Sequence, residues 1–185
     1  MSTRPVSAPA NVHIRRYQLS DVSDVFEAVR ESLTELQAWM PWSHPAYSIH
    51  ESRSWLQAQI AAFDQRTAFE FAMIDDDGRY LGACGLNQID HANRRANLGY
   101  WVRTSATNQG VATRAVRVLR DWAFAYTDLI RLEIVIAIDN VASCRVAEKT
   151  GAFREGTLKN RLLLHGAAHD AAVFSFTRTV PGVRV

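Results

Sequence analysis

Residues 103–116 read RTSATNQGVATRAV, and this stretch decides the fold. The apolar residues 98–102 lead into it and a long amphipathic pattern leads out, which predicts a strand, a short loop and a helix. A small-residue loop that opens a helix leaves backbone N–H groups without an acceptor inside the helix. Because these groups and the positive end of the helix dipole attract anions, the loop is predicted to hold a pyrophosphate.

The loop differs from the common nucleotide-binding motifs. It is too short for a Walker loop and lacks the lysine of that motif, so ATP or GTP use is not favoured. It also lacks the glycine pattern of the dinucleotide-binding motif. Taken alone, a glycine that opens a helix after a strand, as Gly110 does, more often reflects ordinary turn chemistry than a binding site.

The segments that follow make the pattern more specific. Residues 131–139 (RLEIVIAID) form a β-branched run that predicts a buried strand. In residues 140–153 (NVASCRVAEKTGAF), Asn140 is a suitable N-cap and Gly151 a suitable C-cap, which predicts a helix. Residues 154–158 (REGTL) are predicted to turn the chain into a further strand.

This order of motifs resembles the GNAT superfamily of acetyltransferases. The shared features are the strand, the QGVAT loop, the helix, a strand ending in DN, the pattern N-x-x-S-x-R-x-x-E-K-x-G-x-F and an E-G-x-L turn. Within the superfamily, the chain is similar to the RimJ/RimL-like branch, which acetylates protein N-termini and small amines. The resemblance covers residues 12–180 and implies an α/β (α+β) fold, with a mixed, mostly antiparallel central sheet of about seven strands and helices on both faces.

The resemblance implies that acetyl-CoA is the co-substrate and that no metal takes part. The pyrophosphate would be held by the loop, at Thr107, Asn108, Gln109, Gly110, Val111, Ala112 and Thr113. The superfamily has Gln or Arg at the first of these positions, whereas this chain has Thr107, so one side-chain donor is missing. The backbone N–H groups are unaffected by this departure, and coenzyme A binding is therefore expected to persist.

The rest of the donor site is also implied by the resemblance. The pantetheine arm would pair with three strand residues, Tyr100, Trp101 and Val102, and a backbone N–H near Trp101 or Val102 would stabilise the oxyanion. Asn140 would contact the pantetheine amides. The hydroxyl of Ser143 would protonate the leaving thiolate, the alternative being an exposed helical serine. Gly99 is expected to mark a bulge that opens the slot, or else a place of close packing.

The general base stays open at the level of sequence. Some relatives carry a glutamate a few residues after the E-G-x-L turn, but residues 159–164 (KNRLLL) contain no carboxylate. The remaining candidates are Glu70, Asp90, His91 and Glu133, of which Glu70 is retained as the base candidate. For each of them a structural or surface role is the alternative, and a water chain to a distant carboxylate is another.

The acceptor is predicted to bind near an aromatic cluster in residues 39–47 (WMPWSHPAY). This segment resembles the W-x-P-W segment of the RimJ/RimL-like branch, so Trp39 and Trp42 are predicted to contact the acceptor; simple packing of a helix junction is the alternative. The expected reaction is direct attack of a primary amine on the thioester. The amine is predicted to be a protein N-terminal Ser or Ala, as in ribosomal proteins, with a small-molecule or antibiotic amine as the second reading. A non-catalytic acyl-CoA-binding domain is the third.

Composition limits the other possibilities. The chain has 185 residues with 48% hydrophobic and 22% charged residues, which fits one globular domain, residues 12–180, behind a disordered tail, residues 1–11. The net charge of +2 gives no argument for nucleic acid or a membrane surface. Cys84 and Cys144 suit neither a zinc site nor a needed disulfide. The protein is expected to be cytoplasmic. It is expected to be a monomer or a homodimer.

The remaining periodicities predict the other elements. A strand is predicted at residues 12–17, and one helix from residue 20 through Leu33, ended before Pro41. A second helix is predicted at residues 48–63, followed by a hairpin of residues 69–74 and 80–86. Strands at residues 97–102 and 171–178 complete the predicted sheet.

Overall fold

The computed structural model describes residues 11–179. The predicted tail lies outside the described residues except for Asn11, and residue 180 of the predicted domain lies outside them as well. Within the described part of the chain, no helix is long and apolar enough to cross a membrane.

The described residues form seven strands and five α-helices. The strands are β1 (His13–Arg16), β2 (Phe69–Ile74), β3 (Tyr80–Asp90), β4 (Arg95–Val102), β5 (Arg131–Ala137), β6 (Phe153–Leu164) and β7 (Ala167–Thr177). The helices are α1 (Val22–Glu31), α2 (Leu33–Trp39), α3 (Ile49–Asp64), α4 (Val111–Tyr126) and α5 (Val141–Lys149). A 3₁₀ turn, Thr104–Ala106, lies between β4 and α4.

The strands form one sheet in the order β1-β2-β3-β4-β5-β7-β6. All neighbouring pairs are antiparallel except β4 and β5, which are parallel. The pairing of β4 with β5 covers only Arg95–Asn97 against Arg131–Glu133. Beyond these residues the two strands diverge, which opens a slot in the middle of the sheet. The predicted mixed, mostly antiparallel sheet is confirmed.

Helices cover both faces of the sheet, as predicted. On one face, which we call the donor face, Leu98 and Leu132 pack in a core with Ala115 and Leu119 of α4. On the other, the acceptor face, Ala72 packs in a second core with residues of α1 and α3. Alternate residues of a strand point to opposite faces, so β4 and β5 supply side chains to both cores or to the open part of the acceptor face.

The single helix predicted from residue 20 through Leu33 is wrong in one respect. Ser32 separates it into α1 and α2, with φ −107° and ψ 13° at the break. Ser32 is buried, and its hydroxyl accepts a hydrogen bond from the N–H of Thr104 at 2.9 Å. This partner lies far away in sequence, so the local pattern of apolar residues does not reveal the break.

Two predictions about irregular backbone also need correction. The bulge expected at Gly99 is absent from the pairing with β3, where Gly99 lies opposite Gly85 in unbroken register. The slot opens instead because β4 and β5 stop pairing. Residues 154–158 do not turn the chain; they lie within β6, where a register shift against β7 occurs between Arg154 and Gly156.

Candidate active site

The slot between β4 and β5 exposes one edge of β4. Gly99, Tyr100, Trp101 and Val102 pair with β3 on one side but extend beyond the residues of β4 that pair with β5. Backbone groups along such an edge are available to pair with an extended ligand, as an added strand would do. The predicted strand residues therefore lie where an extended arm can bind.

The cradle, which we define as residues 107–113, continues from this edge. Asn108 and Gly110 both have positive φ angles, 60° and 75°. The first hydrogen bond of α4 runs from the N–H of Arg114 to the carbonyl of Gly110 at 3.1 Å. The N–H groups of Val111, Ala112 and Thr113 consequently have no acceptor within the helix and suit an anion.

Side chains of the cradle brace its backbone. The hydroxyl of Thr107 donates to the carbonyl of Thr104 at 2.8 Å, and the amide of Gln109 donates to the carbonyl of Ser105 at 3.0 Å. Arg114 donates to the carbonyl of Gln109 at 2.7 Å. Thr107, the position that departs from the superfamily pattern, thus supports the loop from within, and the N–H groups of Val111, Ala112 and Thr113 have no acceptor within the helix.

Asn140 and Ser143 lie at the first turn of α5. The Asn140 side chain accepts from the N–H of Ser143 at 3.1 Å, which confirms its predicted capping role. The Ser143 hydroxyl lies 2.9 Å from the Tyr100 hydroxyl, which also donates to the Ser143 carbonyl at 3.0 Å. Both hydroxyl groups are only half-buried.

The prediction for Tyr100 concerns its backbone, but its side chain also contacts a candidate site residue, Ser143. It points to the donor face, where its ring packs against the core below α4. Burial raises the pKa of Tyr100 to about 12, and the hydrogen bond with Ser143 opposes this rise. Tyr100 therefore stays protonated near neutral pH and acts as a hydrogen-bond partner of Ser143.

Glu70 lies on the acceptor face. Its carboxylate occupies the space above Gly85, where a Cβ atom would come within 2.1 Å of it. Asn87 donates to Glu70 at 3.4 Å and accepts from Asn97 of β4 at 2.9 Å, so a chain of polar side chains leads to the slot. Burial raises the pKa of Glu70 to about 7, against the opposing effect of the Asn87 hydrogen bond.

The other base candidates have different surroundings. Asp90 is bound by Asn93 and Arg95, and these hydrogen bonds lower its pKa to about 2. Glu133 accepts from Arg131 at 2.8 Å and from Arg95 at 3.4 Å. His91 is exposed in the turn between β3 and β4. Two of these groups are thus held in ion pairs, and the third lies outside the polar chain to the slot.

Of the two predicted aromatic residues, Trp42 lies beside Trp101 of the β4 edge on the acceptor face. Trp42 is 44% exposed, and its ring centroid lies 6.4 Å from that of Trp101 and 6.0 Å from that of Tyr47. Trp39 is half-buried at the end of α2. Packing and ligand contact are both compatible with this arrangement, because Trp42 packs at one edge and leaves much of its surface open.

A cavity of about 400 Å³ extends the acceptor face over β5, β6 and β7. Three arginines and two glutamates line it together with smaller residues: Arg95, Arg131, Arg161, Glu133 and Glu155. Arg131 forms an ion pair with Glu155. None of these residues except Glu133 was singled out from the sequence, because only strand pairing brings them together.

The described residues hold no group of three or more His, Cys, Asp or Glu side chains that would bind a metal ion. Cys84 is buried and Cys144 partly buried, both as free thiols. The polar groups described at the site are backbone N–H groups, hydroxyls, side-chain amides and the Glu70 carboxylate.

The chain is similar to known acetyltransferases. Residues 11–152 match the acetyltransferase (GNAT) domain. The ribosomal-protein-serine acetyltransferase of Escherichia coli is 24% identical over 173 residues, which cover 94% of this chain and 96% of that protein. YdaF of Bacillus subtilis, a candidate ribosomal N-acetyltransferase, is 33% identical over 102 residues. The chain spans about half the length of that relative: the match covers 55% of this chain and 56% of YdaF.

The fold also recurs in a solved structure with the donor bound. The crystal structure of the microcin C7 self-immunity acetyltransferase MccE with acetyl-CoA and AMP has a TM-score of 0.85 to this chain at 20% identity. The match covers 95% of this chain and 98% of that chain.

Proposed function

The chain belongs to the GNAT family of acetyl-CoA-dependent N-acetyltransferases, and from this premise we propose that it acetylates the α-amine of a protein N-terminus that begins with serine or alanine. The proposal is supported by the ribosomal-protein-serine acetyltransferase of Escherichia coli, which aligns over nearly the whole of both chains. The structural observation that supports acetyl transfer is the meeting of three features at one slot: the open edge of β4, the cradle and the Ser143 hydroxyl.

The residues present fit acetyl-CoA. A Cβ at Gly110 would stand 3.2 Å from the Arg114 guanidinium in a backbone conformation that favours glycine, so the cradle depends on a residue without a side chain. The N–H groups that follow it would hold the diphosphate, while Tyr100, Trp101 and Val102 would bind the pantetheine arm along the edge of β4. When bound, acetyl-CoA supplies an acetyl group activated as a thioester.

Ser143 is the proposed general acid. Its hydroxyl is held at the start of α5 by the Asn140 cap and beside the Tyr100 hydroxyl. The single proton of the Tyr100 hydroxyl has two acceptors within reach, the carbonyl and the hydroxyl oxygen of Ser143. When it goes to the hydroxyl oxygen, the Ser143 proton is free for the departing sulfur. A proton delivered at that moment avoids the release of a free thiolate.

Glu70 is the proposed general base. An attacking amine must be neutral, and a base is most effective when its pKa lies near the working pH. The Glu70 carboxylate has a pKa of about 7 and occupies the space left by the missing side chain of Gly85, the residue that pairs with Gly99 of β4. Asn87 and Asn97 connect it to β4, so a water molecule is the proposed carrier of the proton over the remaining distance.

The acceptor would reach the slot from the acceptor face. Trp42 and Trp101 form one wall there, and the cavity over β5, β6 and β7 continues away from it. A site that is open along the sheet accommodates the residues that follow an N-terminal amine. A closed pocket for one small molecule would not need this length.

Binding and turnover together test the proposal. Acetyl-CoA and CoA should each stabilise the protein in thermal unfolding, because a ligand at about 100 times its Kd adds about 2.7 kcal/mol to the free energy of unfolding, while ATP and NAD should not. Release of free CoA thiol should then be fastest with peptides that begin with Ser or Ala, and absent with the same peptides blocked at the N-terminus. Turnover confined to small amines would move the acceptor to that class. Stabilisation without any turnover would contradict an enzyme.

A further inference from the structure

The junction between α1 and α2 contacts the turn that leads into the cradle. The Ser32 hydroxyl, in a residue only 1% exposed, accepts from the N–H of Thr104 at 2.9 Å. The Glu31 carboxylate accepts from the N–H of Ser105 at 2.7 Å with one oxygen. With the other it accepts from Arg103, whose Nε lies at 3.0 Å.

These contacts cap a turn from a distant part of the chain. The first two N–H groups of the 3₁₀ turn Thr104–Ala106 need acceptors from outside the turn. Arg103 is the N-cap residue of this turn, and its side chain makes no capping hydrogen bond. Ser32 occupies the N-cap position of α2 but makes no side-chain bond to that helix. Residues 72 and 74 positions earlier thus supply the acceptors that a local cap would normally give.

The capped 3₁₀ turn accepts two hydrogen bonds from side chains of the cradle. The carbonyl of Thr104 receives the hydroxyl of Thr107, and the carbonyl of Ser105 receives the side-chain amide of Gln109. Gly110 and the first turn of α4 follow directly. Hydrogen bonds of 2.7 to 3.0 Å thus link the junction of α1 and α2 to the turn, and the turn to Thr107 and Gln109 of the cradle.

Electrostatics add to this geometry. Burial opposes the ionisation of Glu31, but its hydrogen bonds with Arg103 and Ser105 prevail and lower its pKa to about 2. The carboxylate is therefore charged at any pH at which the enzyme works. Hydrogen bonds to a charged acceptor are stronger and shorter than those between neutral groups.

We propose that Glu31 and Ser32 are positioning residues for the donor substrate: they cap the turn Thr104–Ala106 and thereby hold the cradle in the conformation that binds the diphosphate of acetyl-CoA. The inference rests on the proposed role of the cradle in holding acetyl-CoA. Neither residue touches the reacting atoms, so their effect falls on the binding of the donor and not on the chemical step.

Glu31→Gln tests the proposal, with Glu27→Gln as the matched control. Glu27 lies one turn earlier on α1, is exposed and has no hydrogen bond or ion pair among the described residues. Glu31→Gln should raise the Kd of CoA and the KM of acetyl-CoA about ten-fold, the loss expected for one charge-assisted hydrogen bond, and leave kcat within about two-fold. Glu27→Gln should match the wild type in all three.

A truncated donor separates positioning from general damage. S-acetylpantetheine lacks the nucleotide and its phosphates and cannot use the cradle. Its kcat/KM should therefore be the same for Glu31→Gln and the wild type. Equal losses with both donors would overturn the proposal, because the variant would then have disturbed the slot itself.

Ser32→Ala is the second variant, in case Glu31→Gln does not fold. It removes one hydroxyl and should raise the Kd of CoA about three- to five-fold, as expected for one neutral hydrogen bond. A folded variant that binds CoA as tightly as the wild type overturns this inference alone. Wild-type protein that binds no CoA would overturn the proposed function, and this inference with it.

Discussion

The hydroxyl oxygens of Tyr100 and Ser143 lie 2.9 Å apart and join β4 to α5 across the slot. The Tyr100 hydroxyl has one proton and two acceptors within reach, the oxygen and the carbonyl of Ser143. When it donates to the Ser143 hydroxyl, that hydroxyl is free to give its own proton away. The contact therefore links a residue of the β4 edge to the proposed acid.

Ser143→Ala should lower kcat about 100-fold, since general acid catalysis commonly contributes that much or more. The Kd of CoA should change by less than about two-fold, because the cradle and the β4 edge remain intact. Tyr100→Phe should lower kcat by a smaller factor, since Ser143 keeps its proton but loses a donor. Steady-state kinetics and calorimetric titration with CoA measure the two effects.

Ser23→Ala is the control for this pair, because Ser23 is exposed on α1, away from the slot. It should leave both kcat and the Kd unchanged. An unaltered kcat in Ser143→Ala would remove Ser143 from the chemical step and leave it as a helix residue.

Local signals in the sequence predicted the starts of α4 and α5 better than the long-range contacts around them. Gly110 and Asn140 are recognisable because a helix start depends on its nearest neighbours, and both have the predicted roles in the structure. The contact of Tyr100 with Ser143 spans 43 residues and exists only because β4 and β5 diverge. The break at Ser32 likewise depends on Thr104, which no periodicity along α1 and α2 can reveal.

The base candidates illustrate the same limit. Sequence identifies Glu70, Asp90 and Glu133 as carboxylates but not their partners. Pairing of β3 with β4 gives Asp90 the Arg95 guanidinium, and pairing of β4 with β5 gives Glu133 the same neighbour. Glu70 lies opposite Gly85 of β3, and the missing side chain of this glycine leaves the space that the carboxylate occupies. Only the register of four strands, β2 to β5, separates the surroundings of these carboxylates.

Glu70→Gln should abolish a rise of activity with pH. In the wild type, activity should increase as the pH passes about 7, where Glu70 loses its proton. The acceptor's α-amine also titrates at a pH of about 8, but it does so with both proteins. The difference between the two profiles of kcat against pH therefore reports Glu70. Parallel profiles with similar rates would exclude Glu70 as the base.

The same substitution should change the pH dependence of stability. The pKa of Glu70 is raised from its ordinary value of 4.5 to about 7, so the folded protein binds the proton more tightly than the unfolded chain. The free energy of unfolding should therefore fall as the pH rises through this interval. Glu70→Gln removes that loss and should be more stable by about 3 kcal/mol above pH 7, since each unit of difference between the folded and unfolded pKa values corresponds to roughly 1.4 kcal/mol. Denaturant titrations should show no such gain below pH 4.5.

Gly110→Ala should weaken donor binding more than it weakens the fold. Gly110 has a φ of 75°, which costs an L-residue about 1 kcal/mol, and the added Cβ would approach the Arg114 guanidinium at 3.2 Å. The added atom crowds the guanidinium that donates to the Gln109 carbonyl and strains the backbone just before the N–H groups of α4, so the Kd of CoA should rise at least about five-fold. Gly78→Ala is the matched control, because Gly78 has a φ of 80° with nothing within 4 Å of the added atom, in the turn between β2 and β3. It should lose similar stability in thermal unfolding and bind CoA normally. Equal CoA affinity in both variants would mean that the cradle does not hold the donor through its backbone.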